Sequence, residues 1–314
     1  MNLEDKIAAA LALGRSKAEE ILALRAAAQI RRAAALENNQ YRLALRVSMV
    51  APGIEQSSAE FQTAGFLAAA GDSWFDYPFH DVLKLLEDHY GYNVESTAHK
   101  GDPVEKMAYA GGQLEDFARK LEKIKARGAV PKAVLVSGGG DDVAGAEFGM
   151  LLNNAFSPLA GWAAEVVDGV LNQRILTAYT QFLMSITSLC QGNFGKTIPI
   201  LMHGYDYPVP DGRGFLGGWP FPGPWLDPGF REKNFDDLTQ RIAMMQVLMD
   251  QFNDMVKSLP AQAAFAHVRY IDLRGTLSNR LADYQDWWAN ELHPTEKGFE
   301  AVTDRFAAEL AKLP

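Results

Sequence analysis

The chain has 314 residues, 48% apolar and 22% charged, enough for one large soluble domain with an extension. Its 30 Lys and Arg against 39 Asp and Glu give a net charge of −9, and an acidic chain repels phosphate backbones, which argues against a nucleic-acid partner. A single cysteine, Cys190, excludes an internal disulfide or a cysteine-rich metal site, and its apolar helical surroundings suggest a buried, inert thiol.

Residues 1–48 are rich in Ala, Leu and Arg. Apolar residues recur at Leu3, Ile7 and Leu11, then at Ile21, Leu24 and Ile30, a spacing that predicts amphipathic helix. Gly14 is expected to divide it into two pieces. A helical extension packed on the main domain or on a second subunit is the first reading. Contact with a membrane surface or a partner is the sharper alternative, made less attractive by the mixed charges. Glu4 and Asp5 stand where a signal peptide has its basic region, so a cytoplasmic location is the default expectation, with signal-independent export left open. No stretch reads as a membrane span; the longest apolar region, Val143 to Leu171, is broken by Glu147, Pro158, Glu165 and Asp168 among others.

Residues 49–64, with Pro52, Gly53, Ser57 and Ser58, read as a linker, and 65–314 as the main domain. There, short apolar segments alternate with helical patterns. Strands are predicted at Phe66–Ala70, Asn93–Ala98, Ala133–Ser137, Ile198–Met202 and Val268–Asp272. Helices are predicted at Val82–Tyr90, Val104–Lys125, Val166–Cys190, Phe235–Val256 and Thr295–Lys312. This alternation implies an α/β fold with a mostly parallel sheet covered on both faces, in which working residues gather at the carboxyl ends of the strands. Ser73, Gly101, Gly139 and His203 all follow predicted strands.

The segment Gly71-Asp72-Ser73 places a serine hydroxyl at the tip of the first strand. Near the other end stands His293, in Glu291-Leu292-His293-Pro294. A serine nucleophile needs a base, and histidine titrates in the right range, so the pair suggests a serine hydrolase. His203 either lines the pocket or is a satisfied core histidine. The remaining histidines show no ligand spacing, and Asp72, Asp76, Asp141 and Asp142 match no known Mg²⁺ or Ca²⁺ loop, so neither metal nor cofactor is expected. The long loop from Tyr205 to Phe230, with Trp219, Phe221 and Trp225 among glycines and prolines, is expected to wall or cover the site. A loop that packs its own aromatics, or an oligomer contact, is the alternative.

With Gly71-Asp72-Ser73 after one strand, Gly101-Asp102 after the next, Gly139-Gly140-Asp141-Asp142 after the third and His293-Pro294 before the last helix, the chain resembles the SGNH (GDSL-like) hydrolase superfamily from about Gly65 to its C-terminus. The resemblance implies a three-layer α/β/α sandwich, flavodoxin-like, beside the N-terminal helical extension. It implies Ser73 as nucleophile, His293 as general base, and backbone N–H groups of Ser73 and Gly101 as oxyanion donors, with Gly112 a weaker candidate for the last role. Two positions depart from the family pattern. Asp141 stands where the family has an oxyanion-donating Asn; it is either a protonated donor, or turned away, or the mark of a weakened enzyme. Asn290 stands where the family has the Asp that orients the histidine. Glu291 or Asn290 is the favoured orienting partner, with Asp206 and Asp286 as further candidates. Asp72 is expected to hold its turn and Asp142 to cap the segment after it. The expected activity is hydrolysis of an acyl or acetyl ester of a lipid or carbohydrate, with Trp74, Phe75, Trp219, Phe221 and Trp225 as apolar or sugar-stacking wall. The alternative is a catalytically weakened or inactive protein of the same fold that binds lipid or carbohydrate.

Overall fold

The computed structural model describes residues 2–47, 63–110 and 112–314; the expected linker at 49–64 lies, apart from its last two residues, outside them. In chain order the elements are α1 (Leu3–Val47), β1 (Gly65–Ala70), α2 (Val82–Tyr90), β2 (Tyr92–Ser96), α3 (Val104–Tyr109), α4 (Gly112–Ala126) and β3 (Ala133–Val136). A two-stranded antiparallel hairpin follows, β4 (Leu152–Asn153) with β5 (Gly161–Trp162), then α5 (Ala164–Asp168) and α6 (Leu176–Phe194), joined by π-helical turns over Gly169–Ile175. The chain closes with β6 (Ile200–His203), α7 (Asp227–Glu232), α8 (Leu238–Ser258), β7 (Val268–Ile271) and α9 (Glu296–Ala311).

The main sheet has the order β2-β1-β3-β6-β7, and every neighbouring pair is parallel. Its central strands are continuous apolar runs, Leu67–Ala70, Ala133–Val136 and Ile200–Met202, all buried, as a sheet covered on both faces requires. Helices α2 and α9 pack together, and α4 packs with α6. The result is a three-layer α/β/α sandwich. The chain leaves β1 for β2 on one side and returns to β3 on the other, so the loops after β1 and β3 diverge. The crevice between them is where open α/β sheets place ligands.

Boundaries follow local chemistry. Helix α2 starts where the Asp81 carboxylate accepts the Lys84 N–H at 2.8 Å, and ends at Gly91 with φ +69°. The helix expected over Val104–Lys125 is two helices that part after Tyr109. The one expected over Val166–Cys190 is divided by the π-helical turns.

Gly14 does not break α1, which runs from Leu3 to Val47. A Cβ at Gly14 would lie 2.5 Å from the Gln181 carbonyl oxygen and 2.9 Å from the Met184 Cβ. The glycine is where α1 and α6 cross closely, and the Ser185 hydroxyl donates to its carbonyl there. Ala10, Ala18 and Ile21 bury the rest of this seam, and Arg25 reaches Glu122 at 2.6 Å. Among the described residues no helix is long and apolar enough to cross a membrane.

Candidate active site

The loops after β1, β2 and β3 meet the segment before α9 at the carboxyl edge of the sheet. Asp72, directly after Gly71, is buried. Its Oδ1 accepts the Trp74 N–H at 3.0 Å and the Ser137 hydroxyl at 2.6 Å, and its Oδ2 accepts the Tyr205 hydroxyl. This carboxylate ties the turn to β3 and to the loop after β6, and the turn presents Ser73.

The Ser73 Oγ lies 2.8 Å from His293 Nε2. The tautomer follows from the other side of the ring. The Asn290 Oδ1 accepts the N–H groups of Leu292 and His293, each at 3.0 Å, so that atom is the amide oxygen. It lies 3.0 Å from His293 Nδ1, which therefore carries the proton, leaving a lone pair on Nε2 aimed at Ser73. The Asn290 Nδ2 donates to the Tyr77 hydroxyl at 3.2 Å, and the Tyr77 ring stacks on His293 at 4.5 Å between centroids. Burial depresses the His293 pKa to about 3, since no carboxylate touches the ring to oppose the desolvation.

Glu291 makes no hydrogen bond with His293. Its carboxylate accepts four backbone N–H groups, from Gly212 at 3.0 Å, Trp225 at 2.6 Å, Leu226 at 2.8 Å and Asp227 at 2.9 Å. It therefore clamps both ends of the long loop to the histidine segment. Asp206 is likewise engaged by the N–H groups of Tyr207, Gly275 and Leu277, and Asp286 supplies a backbone carbonyl to the Thr295 hydroxyl. Thr295 in turn caps α9. Of the four candidates for orienting His293, Asn290 alone is bonded to it.

Asp141 faces the same cleft as Ser73, Gly101 and His293. Its Oδ2 is buried without a hydrogen-bond partner. Burial first, then the carboxylates of Asp72, Asp142 and Asp102, push its pKa up to about 7. The backbone before it depends on Gly139, whose φ is +89° and where a Cβ would lie 2.6 Å from the Phe252 ring. Asp142 accepts the N–H groups of Val104 and Glu105 at 2.6 and 3.3 Å, so it caps α3, which precedes it in the chain, and not the segment after it. Among the described residues, the N–H groups of Ser73 and Gly101 have no hydrogen-bond partner. Gly112 begins α4 and does not line the cleft.

The cleft, about 440 Å³, is walled by Tyr77, Phe215, Phe221, Pro222 and Trp225, with Lys100 at its edge. Tyr77 and Phe215 escape sequence reading because nothing in their spacing marks them. Trp219 is 95% exposed and does not line the cleft. Phe75 is buried against His203 and Phe306, and so is core rather than wall. Trp74 is also buried; its indole N–H donates to the Leu292 carbonyl at 3.1 Å, bracing the serine loop against the histidine segment. His203 lies in the core, 2.8 Å from the Ser137 Oγ, with its Nδ1–H donating to the Gly204 carbonyl. Among the described residues no three His, Cys, Asp or Glu side chains group as metal ligands.

No family model matches the chain, and no curated protein matches it. Several solved structures resemble it. A lipase from a goat rumen metagenome is 15% identical over 78% of this chain and 96% of its own, with a TM-score of 0.43. A member of the lipolytic G-D-S-L family from Veillonella parvula is 10% identical over 80% and 100%, with a TM-score of 0.42. An acetyl-xylooligosaccharide esterase from a Geobacillus species is 15% identical over 79% and 94%, with a TM-score of 0.40. Identity this low leaves the chemistry to be read from the site's own atoms.

Proposed function

We propose that this chain hydrolyses carboxylic esters through an acyl-enzyme formed on Ser73. The observation that carries the reading is the 2.8 Å contact between Ser73 Oγ and His293 Nε2, with Asn290 holding the tautomer that leaves Nε2 free to accept a proton. In the reaction, Oγ attacks the ester carbonyl carbon while its proton passes to Nε2. The carbonyl oxygen becomes an oxyanion, received by the N–H groups of Ser73 and Gly101 and by the protonated carboxyl of Asp141. Collapse breaks the bond to the alcohol oxygen, which takes the proton from Nε2. Water, deprotonated by the same nitrogen, then attacks the acyl-serine; the bond to Oγ breaks, Oγ takes the proton back from Nε2, and the acid leaves.

Two features set the pace. Asn290 orients the ring but brings no negative charge to the imidazolium, so His293 is a weak base. Asp141 donates only while protonated. The aromatic walls of the cleft suit an apolar chain or the face of a sugar, so lipid and carbohydrate esters are both candidate substrates.

The test is hydrolysis of chromogenic short-acyl esters and labelling by a fluorophosphonate. Both are expected in the wild type and both should vanish in Ser73→Ala. Turnover that survives Ser73→Ala would remove the mechanism. Neither turnover nor labelling at any acyl length would favour a binding protein that keeps the fold.

A further inference from the structure

Beside Ser73 lies a second, smaller space. It measures about 50 Å³ and sits under the loop after β3, against α8. Its apolar lining includes Trp74, Leu226, Met245, Met249, Phe252 and Trp288. Ser73, Asp141 and Leu292 line both this chamber and the outer cleft, so the serine stands where the two meet. The other carboxylates on the chamber wall are occupied. Asp72 is bonded to Trp74, Ser137 and Tyr205, and Asp206 to three backbone N–H groups. What the chamber offers a guest is therefore apolar surface.

We propose that this chamber is the acyl pocket, and that it restricts the enzyme to esters of two- and three-carbon acids, with the alcohol part held in the aromatic outer cleft. This rests on the hydrolase reading above. An ester bound at Ser73 must send its acyl tail and its alcohol in different directions, and two spaces diverge there. Size sets the limit. A dry cavity of roughly 150 Å³ takes benzene, so one a third as large takes about two carbons. Met245 and Met249, one turn apart on α8, line the chamber. They are unbranched, and trimming either one lengthens the pocket by about three heavy atoms.

The test is a series of p-nitrophenyl esters from acetate to octanoate, with one leaving group throughout, on the wild type, Met249→Ala and Ala144→Leu. In the wild type, kcat/KM should be highest for acetate or propionate and at least about tenfold lower by hexanoate, since one ill-fitting methylene changes kcat/KM by roughly 10- to 200-fold. Met249→Ala should move the optimum two to three carbons longer. Ala144→Leu fills the chamber from its other side and should depress propionate more than acetate. Fluorophosphonate labelling of Ser73 reports whether each variant keeps a folded site, and Ala144→Leu carries the test if Met249→Ala does not. A wild-type profile that is flat or rises to octanoate overturns the proposal. So do labelled variants that keep the wild-type profile; in both cases the hydrolase reading stands. Absence of both turnover and labelling in the wild type overturns the two together.

Discussion

Asp141→Asn is the most discriminating single change. A carboxylate beside a forming oxyanion repels it, whereas a carboxylic acid donates to it. Asp141 is held near the division between these states, its pKa pushed to about 7 by burial and by Asp72, Asp142 and Asp102. Below pH 7 it donates; above, it is an unpaired charge facing the cleft. Loss of one oxyanion donor costs roughly 10²–10³ in rate, about 3–4 kcal/mol. Wild-type kcat/KM should therefore fall about thirtyfold between pH 5.5 and 8.5, the most that one ionisation with its midpoint near 7 allows over that window. His293, with a pKa of about 3, stays a neutral base throughout that window and adds no limb. Asn cannot ionise, so Asp141→Asn should hold the acidic plateau across the range. The assay is a pH profile on a chromogenic acetate, with the Ser73→Ala rate subtracted at each pH. Stability should move in parallel. A carboxyl with a raised folded pKa contributes stability below its unfolded value and loses it as pH rises through its folded value. Raising its pKa from 3.8 to about 7 corresponds to about 4 kcal/mol at most. Urea unfolding should show Asp141→Asn gaining on the wild type between pH 4 and 8, by up to that amount. A wild-type profile level through pH 7, or an Asn variant a hundredfold slower at pH 5.5, would refute the reasoning.

Asn290→Asp places a carboxylate beside His293 Nδ1, where it favours the imidazolium and raises the histidine pKa from about 3 toward its ordinary value. The expected outcome is a kcat about tenfold higher at pH 7, with KM little changed and a new acid limb below pH 6, read from a pH–rate profile. Glu291→Gln replaces an oxygen that receives two N–H groups with an NH₂ that cannot accept them. Unfolding in urea should show a loss of about 2–4 kcal/mol, and the loosened loop should lower kcat without shifting its pH dependence.

The sheet was legible because its strands are short apolar runs, Leu67–Ala70 and Ala133–Val136 above all, set between helical periodicities. Asp81 and Gly91 mark both ends of α2. Helix breaks were less legible. Gly14 looks like an interruption because glycine lowers helix propensity, yet packing decides: the missing Cβ lets α1 lie against α6. At the site, Ser73 and His293 were readable from their places after a strand and before a helix. Their supporting groups were not. Asn290 and Glu291 are adjacent in a loop without a repeat, so spacing alone does not tell which one reaches the ring and which one points at Gly212 and Trp225. The cleft wall shows the same difficulty. Phe215, Phe221 and Trp219 lie in one glycine-rich loop, and its path in space, not its composition, sends two rings inward and one into solvent. The inner chamber has no sequence signature at all, because Met245 and Met249 read as ordinary core positions of α8.

The two positions at which this chain departs from the SGNH pattern it resembles are best understood together. The pattern puts a carboxylate beside the histidine and an amide beside the oxyanion; this chain has the amide at Asn290 and the acid at Asp141. The histidine side loses a counter-charge, and the imidazolium formed during attack has no anion bonded to its far nitrogen. On the proposed oxyanion side, burial first and then the neighbouring carboxylates of Asp72, Asp142 and Asp102 make ionisation of Asp141 costly, and so favour the protonated form a donor to the oxyanion needs. Under the proposed mechanism such a site runs on a neutral histidine and a neutral acid, and both conditions hold together only between the pKa of about 3 at His293 and the pKa of about 7 at Asp141. The working range that follows lies on the acid side of neutrality, opposite to that of a serine–histidine pair whose histidine must lose its proton near neutral pH before it can act.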